Sequence, residues 1–102
     1  MAADRLPSIH PGDVIREDFL KPLGRSAYWL AKGLRVPPTR VADILARRRA
    51  VTADTAMRLS RFLGCSPQFW MGLQAQYDLE VAERSRREDY AAIEPRDGLP
   101  AG

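Results

Sequence analysis

Cysteine and histidine each occur once in 102 residues. The lone Cys65 excludes an internal disulfide and any cysteine-built zinc site. It is expected to be a buried thiol, since free cysteine is among the most buried residue types. His10 stands beside Pro11 with no second ligand or base near it in sequence, so it points to a structural role at a helix N-cap rather than to metal binding or catalysis. Long apolar runs are also missing. Nothing approaches the roughly 20 residues that a membrane-crossing helix needs, and the opening MAADRLPSIHPGD lacks the apolar stretch of a signal peptide. The expectation is a cytoplasmic chain with no membrane contact. There is no Cys–His pair, metal-ligand cluster, phosphate-cradling glycine loop or serine nucleophile motif. The chain is therefore not read as an enzyme, and no catalytic residue, metal or cofactor is assigned.

What is present is helical periodicity. In SAYWLAKGLRVPPTRVADIL, residues 26–45, Leu30, Ala31 and Leu34 share one face. After a tight turn, Val41, Ile44 and Leu45 repeat the i, i+3, i+4 pattern. A small residue such as Ala31 suits the point where two helices of a helix-turn-helix cross. Pro37-Pro38 opens the second helix, where the missing amide proton costs little. Thr39, Arg40, Ala42, Asp43 and Arg47 are left for the outer face.

The whole chain reads as one all-α domain of five helices. The first runs from Pro11 to Lys21, stopped by Pro22. It has Asp13 in its first turn and Val14 or Ile15 with Phe19 facing inward. The second opens at the N-cap Ser26 and ends near Gly33, and the third spans Pro38 to Arg47. The fourth has Thr52 as N-cap and Gly64 as stop, with Ala56, Leu59 and Leu63 inside and Met57 or Phe62 at the margin. The fifth starts at Ser66-Pro67 and carries Trp70, Leu73, Tyr77 and Val81 on one stripe, with an extension to about Tyr90. The organisation expected is an N-terminal arm (1–10), a helix-turn-helix domain (11–83, the motif itself at about 26–46) and a helix extension with a flexible tail (84–102). Trp29 falls off the inward stripe, so it either forms a contact surface or packs over the first helix.

Charge is unevenly placed. The net charge is +3, yet residues 25–51 hold seven basic residues against Asp43 alone, a local balance of +6. A basic surface concentrated on a helix-turn-helix is the electrostatic footprint of a phosphate-binding face. Asp43 has two readings, a base contact or an i, i+4 pair with Arg47. Asp13, Glu17 and Asp18 read as a solvated face of the first helix.

Four segments, in this order and spacing, carry a resemblance to a known family. They are HPGD at the first helix, LAK-x-L-x-VP at the turn, RRAVTADTAMRLSRFLG through the fourth helix and SPQFWMGLQ opening the fifth. Over residues 8–83 the chain resembles the HigA-type (VapI-type) antitoxins of the lambda-repressor-like helix-turn-helix group. Arg35 departs from the group, which usually places Gly or Asn at that turn, and Arg47 stands near a point where Gly often ends the third helix. Ala27 replaces a common Gln that braces against phosphate.

The resemblance implies a DNA-binding antitoxin that neutralises a HigB-like mRNA-cleaving toxin and represses its own operon. The alternative is a solitary transcription regulator without a toxin. Carried over residue by residue, Pro38, Thr39, Arg40 and Asp43 fall nearest base edges, with Ala42 against a thymine methyl. Arg40 reads either as a guanine fork or as a phosphate contact. Ser26, Ala27, Arg48 and Arg49, with Arg47 beside them, are the candidates for backbone contact. Partners expected are palindromic operator DNA, a second copy of the chain and a cognate toxin. The toxin is placed on residues 1–25, and Leu79 and Val81 are offered for the dimer.

Overall fold

Proline and glycine placement sets most of the helix ends in the computed structural model, which describes residues 8–97. Residues 1–7 and 98–102, parts of the expected arm and tail, lie outside that range. Helix α1 runs in three consecutive stretches: α-helical Pro11–Val14, π-helical Ile15–Leu20 and α-helical Lys21–Leu23. It therefore passes Pro22 instead of stopping at Lys21. Pro22 has no N–H to donate, and its ring would crowd the Asp18 carbonyl in a regular α-turn. The wider π-turn just before it, marked by Lys21 N–H donating to the Arg16 carbonyl, relieves that conflict. Gly24, at φ 63°, then ends the helix.

The remaining helices are α2 Ala27–Leu34, α3 Pro38–Leu45, α4 Ala53–Leu63, α5 Pro67–Ser85 and the short α6 Arg87–Ala91. Ser26, Thr52 and Ser66 are N-caps as expected, each accepting a backbone N–H of the first turn. Helix α3 stops two residues before the expected Arg47, because Arg47 itself turns left-handed (φ 63°). The expected run to Tyr90 is interrupted at Arg86 (φ −131°), and α6 begins after that break. The described residues contain no strand.

One core joins α1 to α5. Leu30, Ala31 and Leu34 of α2 are buried with Val41 and Ile44 of α3, and Ala31 lies in the interior as the crossing requires. Ala56 and Leu59 of α4 and Trp70 of α5 are fully buried, so Trp70 is a packing residue. Ile15, rather than Val14, takes the innermost position on α1. One expectation about burial is corrected. Cys65 is only half-buried, since it sits in the short α4–α5 connection at the core margin. Of the two residues offered for the margin of α4, Met57 is 60% exposed and Phe62 takes the margin, against Trp29. Trp29, offered either as a contact surface or as packing over α1, is half-buried and packs on α4. Its ring lies 5.0 Å from Phe62 of α4 under the Arg25 guanidinium. Gly33 makes room for this arrangement, because a Cβ there would meet the Phe62 ring at 2.3 Å.

A buried amide supplies the link between the loop after α3 and α5. Val51 N–H donates to Gln74 Oε1 at 2.7 Å, and Gln74 Nε2 donates to Asp78 Oδ1 at 2.9 Å. Gln74 stands four residues after Trp70 and shares its inward face, where a polar side chain breaks the apolar stripe and is buried with its amide paired.

Helix α1 approaches the end of α3 closely at Gly12. A Cβ on Gly12 would come within 2.2 Å of the Ile44 carbonyl oxygen, a backbone atom that cannot swing away. Gly12→Ala should therefore lower stability by about 1–3 kcal/mol, the usual range for overpacking. Urea unfolding followed by circular dichroism measures it. A midpoint unchanged from wild type would mean that α1 is free to shift off α3.

Candidate nucleic-acid interface

The third helix begins at an extended Pro37, and Pro38 takes its first position. This leaves the N-terminal end of α3 open, with Pro38, Thr39 and Ala42 exposed and Arg40 and Asp43 half-buried. Arg47, Arg48 and Arg49 are exposed just after the helix. At the start of α2, Ser26 is exposed and Ala27 half-buried. The Ser26 hydroxyl accepts from Trp29 N–H at 3.1 Å, which keeps its own proton available to an outside acceptor.

Both helices of the motif end in the same way. Arg35 N–H donates to Lys32 O (3.2 Å) and Val36 N–H to Ala31 O (3.1 Å). Arg47 N–H donates to Ile44 O (3.0 Å) and Arg48 N–H to Asp43 O (2.8 Å). Each is a Schellman turn with arginine in the left-handed position that glycine usually fills. A non-glycine residue there costs on the order of 1 kcal/mol. The departures at Arg35 and Arg47 thus keep the usual backbone and add a cation at each helix end.

Two neighbouring helices fasten these ends. Arg58 of α4 donates through Nη1 to the carbonyls of Leu34 (2.9 Å) and Arg35 (3.3 Å) at the end of α2. Arg16 of α1 donates to the Leu45 carbonyl (2.9 Å) at the end of α3. Cations at helix C-termini also suit the helix dipole. Each of these arginines is held by an aspartate that grips a second arginine from the motif. Asp54 accepts from Arg58 Nε (2.9 Å) and Arg40 Nη1 (2.8 Å). Asp13 accepts from Arg16 Nη2 (3.0 Å), from both Nε and Nη2 of Arg47, and from the His10 amide (3.0 Å).

This geometry revises two readings. Asp43 pairs with Arg48 at 2.9 Å and not with Arg47, because the left-handed turn carries Arg47 toward α1. Asp13 is not part of a solvated face, since its carboxylate is the hub of the α1–α3 junction. Burial works to raise the Asp13 pKa, but the hydrogen bonds from Arg47 and His10 and the nearby cations outweigh it and hold the carboxyl below its ordinary range. Sequence reasoning missed Asp54 and Arg58 as a unit. Their i, i+4 spacing in DTAMR was a visible signal, whereas the Arg40 partner, 14 residues away, was not.

The chain matches the Helix-turn-helix family over residues 17–70, more than half its length. Virulence-associated protein I of Dichelobacter nodosus is 46% identical over 84 residues, covering 82% of this chain and 78% of that protein. Among solved structures, antitoxin GraA superposes with a TM-score of 0.86 at 40% identity, over 89% of this chain and 99% of GraA. The Pseudomonas aeruginosa antitoxin HigA, solved with the higBA promoter, gives a TM-score of 0.83 at 39% identity, over 86% and 97%. The chain belongs to the HigA-type antitoxins. The resemblance carried by HPGD, LAK-x-L-x-VP and SPQFWMGLQ is thereby established as kinship, and the relatives are not enzymes by name.

In this HigA-type chain the HPGD segment has a structural role. His10 is buried and caps α1, with Nδ1 accepting the Gly12 amide at 2.9 Å. Its ring meets Tyr77 of α5 edge-on at 4.7 Å. Burial lowers the His10 pKa, Asp13 and Asp78 oppose this, Arg47 adds to it, and a backbone hydrogen bond at Arg49 opposes it. The unfolded chain therefore takes up a proton at higher pH than the folded one. His10 contributes stability that is complete above the ordinary value of 6.5 and is lost as pH falls from there through the folded pKa. Thermal unfolding should show the melting temperature dropping as pH falls below that value. In His10→Asn, which keeps a capping oxygen but does not titrate, the drop should be much shallower. Equal slopes for the two proteins would take His10 out of the acid response.

Proposed function

We propose that this chain binds the operator of its own promoter as a homodimer, placing the N-terminal end of α3 in the major groove of each half-site, and that it neutralises a small mRNA-cleaving toxin. The observation that carries the DNA part is the open, basic end of α3, held between two fastened helix termini, in a relative of an antitoxin solved with its promoter. Pro38, Thr39, Ala42 and Asp43 are the candidates nearest base edges, and the amides at the start of α2 with Ser26 and Ala27 are suited to phosphate. Arg48 and Arg49 serve the phosphate backbone. Arg47 contributes charge there while its guanidinium fastens α1 to the motif.

One helix-turn-helix covers only a few base pairs, so selectivity requires two copies about one helical turn apart. Leu79 on α5 and Ile93 after α6 are each 68% exposed, and Tyr90 lies between them in sequence. This apolar surface at the C-terminal end supports dimerisation there. The half-buried Val81 contributes less than Leu79.

A toxin that cleaves mRNA presents a basic surface to RNA, and an acidic surface away from α3 fits it. Glu17 and Asp18 remain exposed on α1, within the stretch favoured for the toxin, whereas Asp13 is committed to the motif.

DNA affinity should fall steeply with salt, and Arg48→Ala or Arg49→Ala should each reduce the slope of log K against log salt by about 1 on any sequence. Fluorescence anisotropy on operator and random duplexes measures both. A salt-independent affinity would remove the phosphate-binding role of this surface. The toxin part is tested by co-expression with the adjacent gene. A stable complex, and growth arrest when the neighbour is expressed alone, are the expected results. A harmless neighbour and no complex would leave a solitary regulator.

A further inference from the structure

Among the bases and cations of the motif, Arg40 differs from Arg48 in how it is held. Its side chain is 27% exposed, against 66% for Arg48, and its Nη1 is fixed on Asp54 Oδ2 at 2.8 Å. That same oxygen accepts Arg58 Nε at 2.9 Å, while Arg58 Nη1 is anchored to the carbonyls that end α2. Arg40 is thus tied through Asp54 and Arg58 to the rigid turn of the motif. A guanidinium held at Nη1 keeps its Nε–Nη2 edge, the planar fork that fits O6 and N7 of guanine. A phosphate anchor needs no such hold, since a mobile cation follows the backbone equally well. The arrangement is also costly for a plain phosphate contact. Asp54 is 56% exposed in the first turn of α4 and places a negative charge beside a surface meant for DNA.

We propose that Asp54 is a specificity-determining positioning residue, which aims Arg40 at a guanine edge in each half-site and weakens attachment to DNA of other sequence. This rests on the operator-binding reading above and adds to it the residue pair that selects a base. Asp54 itself touches no base; it acts through Arg40, and its charge repels phosphate wherever Arg40 finds no guanine.

The test uses the full chain and three kinds of duplex at one salt concentration. These are the promoter region upstream of this gene, the same duplex with each half-site G·C pair changed singly to A·T, and a random duplex of equal length. For wild type, one G·C position should carry a penalty of about tenfold, within the range for a bidentate pair. In Asp54→Ala that penalty should vanish while binding to the random duplex tightens about two- to threefold through the lost negative charge. Arg40→Ala should abolish the same penalty, and adding Asp54→Ala to it should change nothing further at that position. Asp54→Asn, which preserves the shape of the first turn, should lose most of the discrimination as well. The proposal is overturned if Asp54→Ala keeps every penalty, or if it weakens promoter and random DNA equally, as a purely helix-stabilising residue would. Penalties that persist in Arg40→Ala would overturn it while leaving operator binding intact. A wild-type chain that binds promoter and random DNA alike would remove operator reading itself.

Discussion

The backbone carbonyls at the ends of α2 and α3 impose the constraint on which the motif depends. Neither helix can satisfy its last carbonyls internally, and both ends face other protein elements. Arg58 and Arg16 supply the missing donors from α4 and α1. Each of those arginines is oriented by an aspartate that also grips an arginine of the motif, Asp54 on Arg40 and Asp13 on Arg47. The recognition helix is therefore braced at both ends, by charge-assisted hydrogen bonds at its boundary and by Val41 and Ile44 in the core.

This bracing explains how two arginines can stand in left-handed turns. The strain of about 1 kcal/mol at each is offset by what the side chain or its neighbour gains there. Arg47 closes a bidentate contact on Asp13, and the Arg35 carbonyl receives Arg58. Glycine in either place would relax the backbone but remove a cation from a surface that depends on positive charge.

The α1 junction concentrates several of these demands in four residues. His10 caps the helix, Pro11 starts it, Gly12 lets it approach the Ile44 carbonyl, and Asp13 collects Arg16 and Arg47. HPGD is thus a docking element for the end of α3, not a solvated helix start. Tyr77 and the Val51–Gln74 hydrogen bond extend the same junction to α5, so the helix proposed for dimerisation is connected to the DNA-facing loop through packed and hydrogen-bonded groups.

Much of this was legible in the residues alone. Apolar periodicity placed α2, α3 and α4, and Ser26, Thr52 and Ser66 marked their starts or that of α5, because caps and amphipathic faces are local properties. The basic cluster at 25–51 and the small Ala31 pointed to the motif for the same reason. The end of α1 was misplaced because a π-turn that accommodates Pro22 leaves no local signature. Trp29 was ambiguous because its neighbour Phe62 lies 33 residues away and meets it only through the gap left by Gly33. The pairing of Asp54 with Arg40 and of Asp13 with Arg47 was decided by tertiary structure alone. Charges pair by distance in space, and periodicity in one helix says nothing of which arginine another helix brings within 3 Å. The chain's sequence by itself determined the helices and the sign of their surface; the packing of α1 and α4 against the motif decided which of its charges are held and which are free to meet DNA.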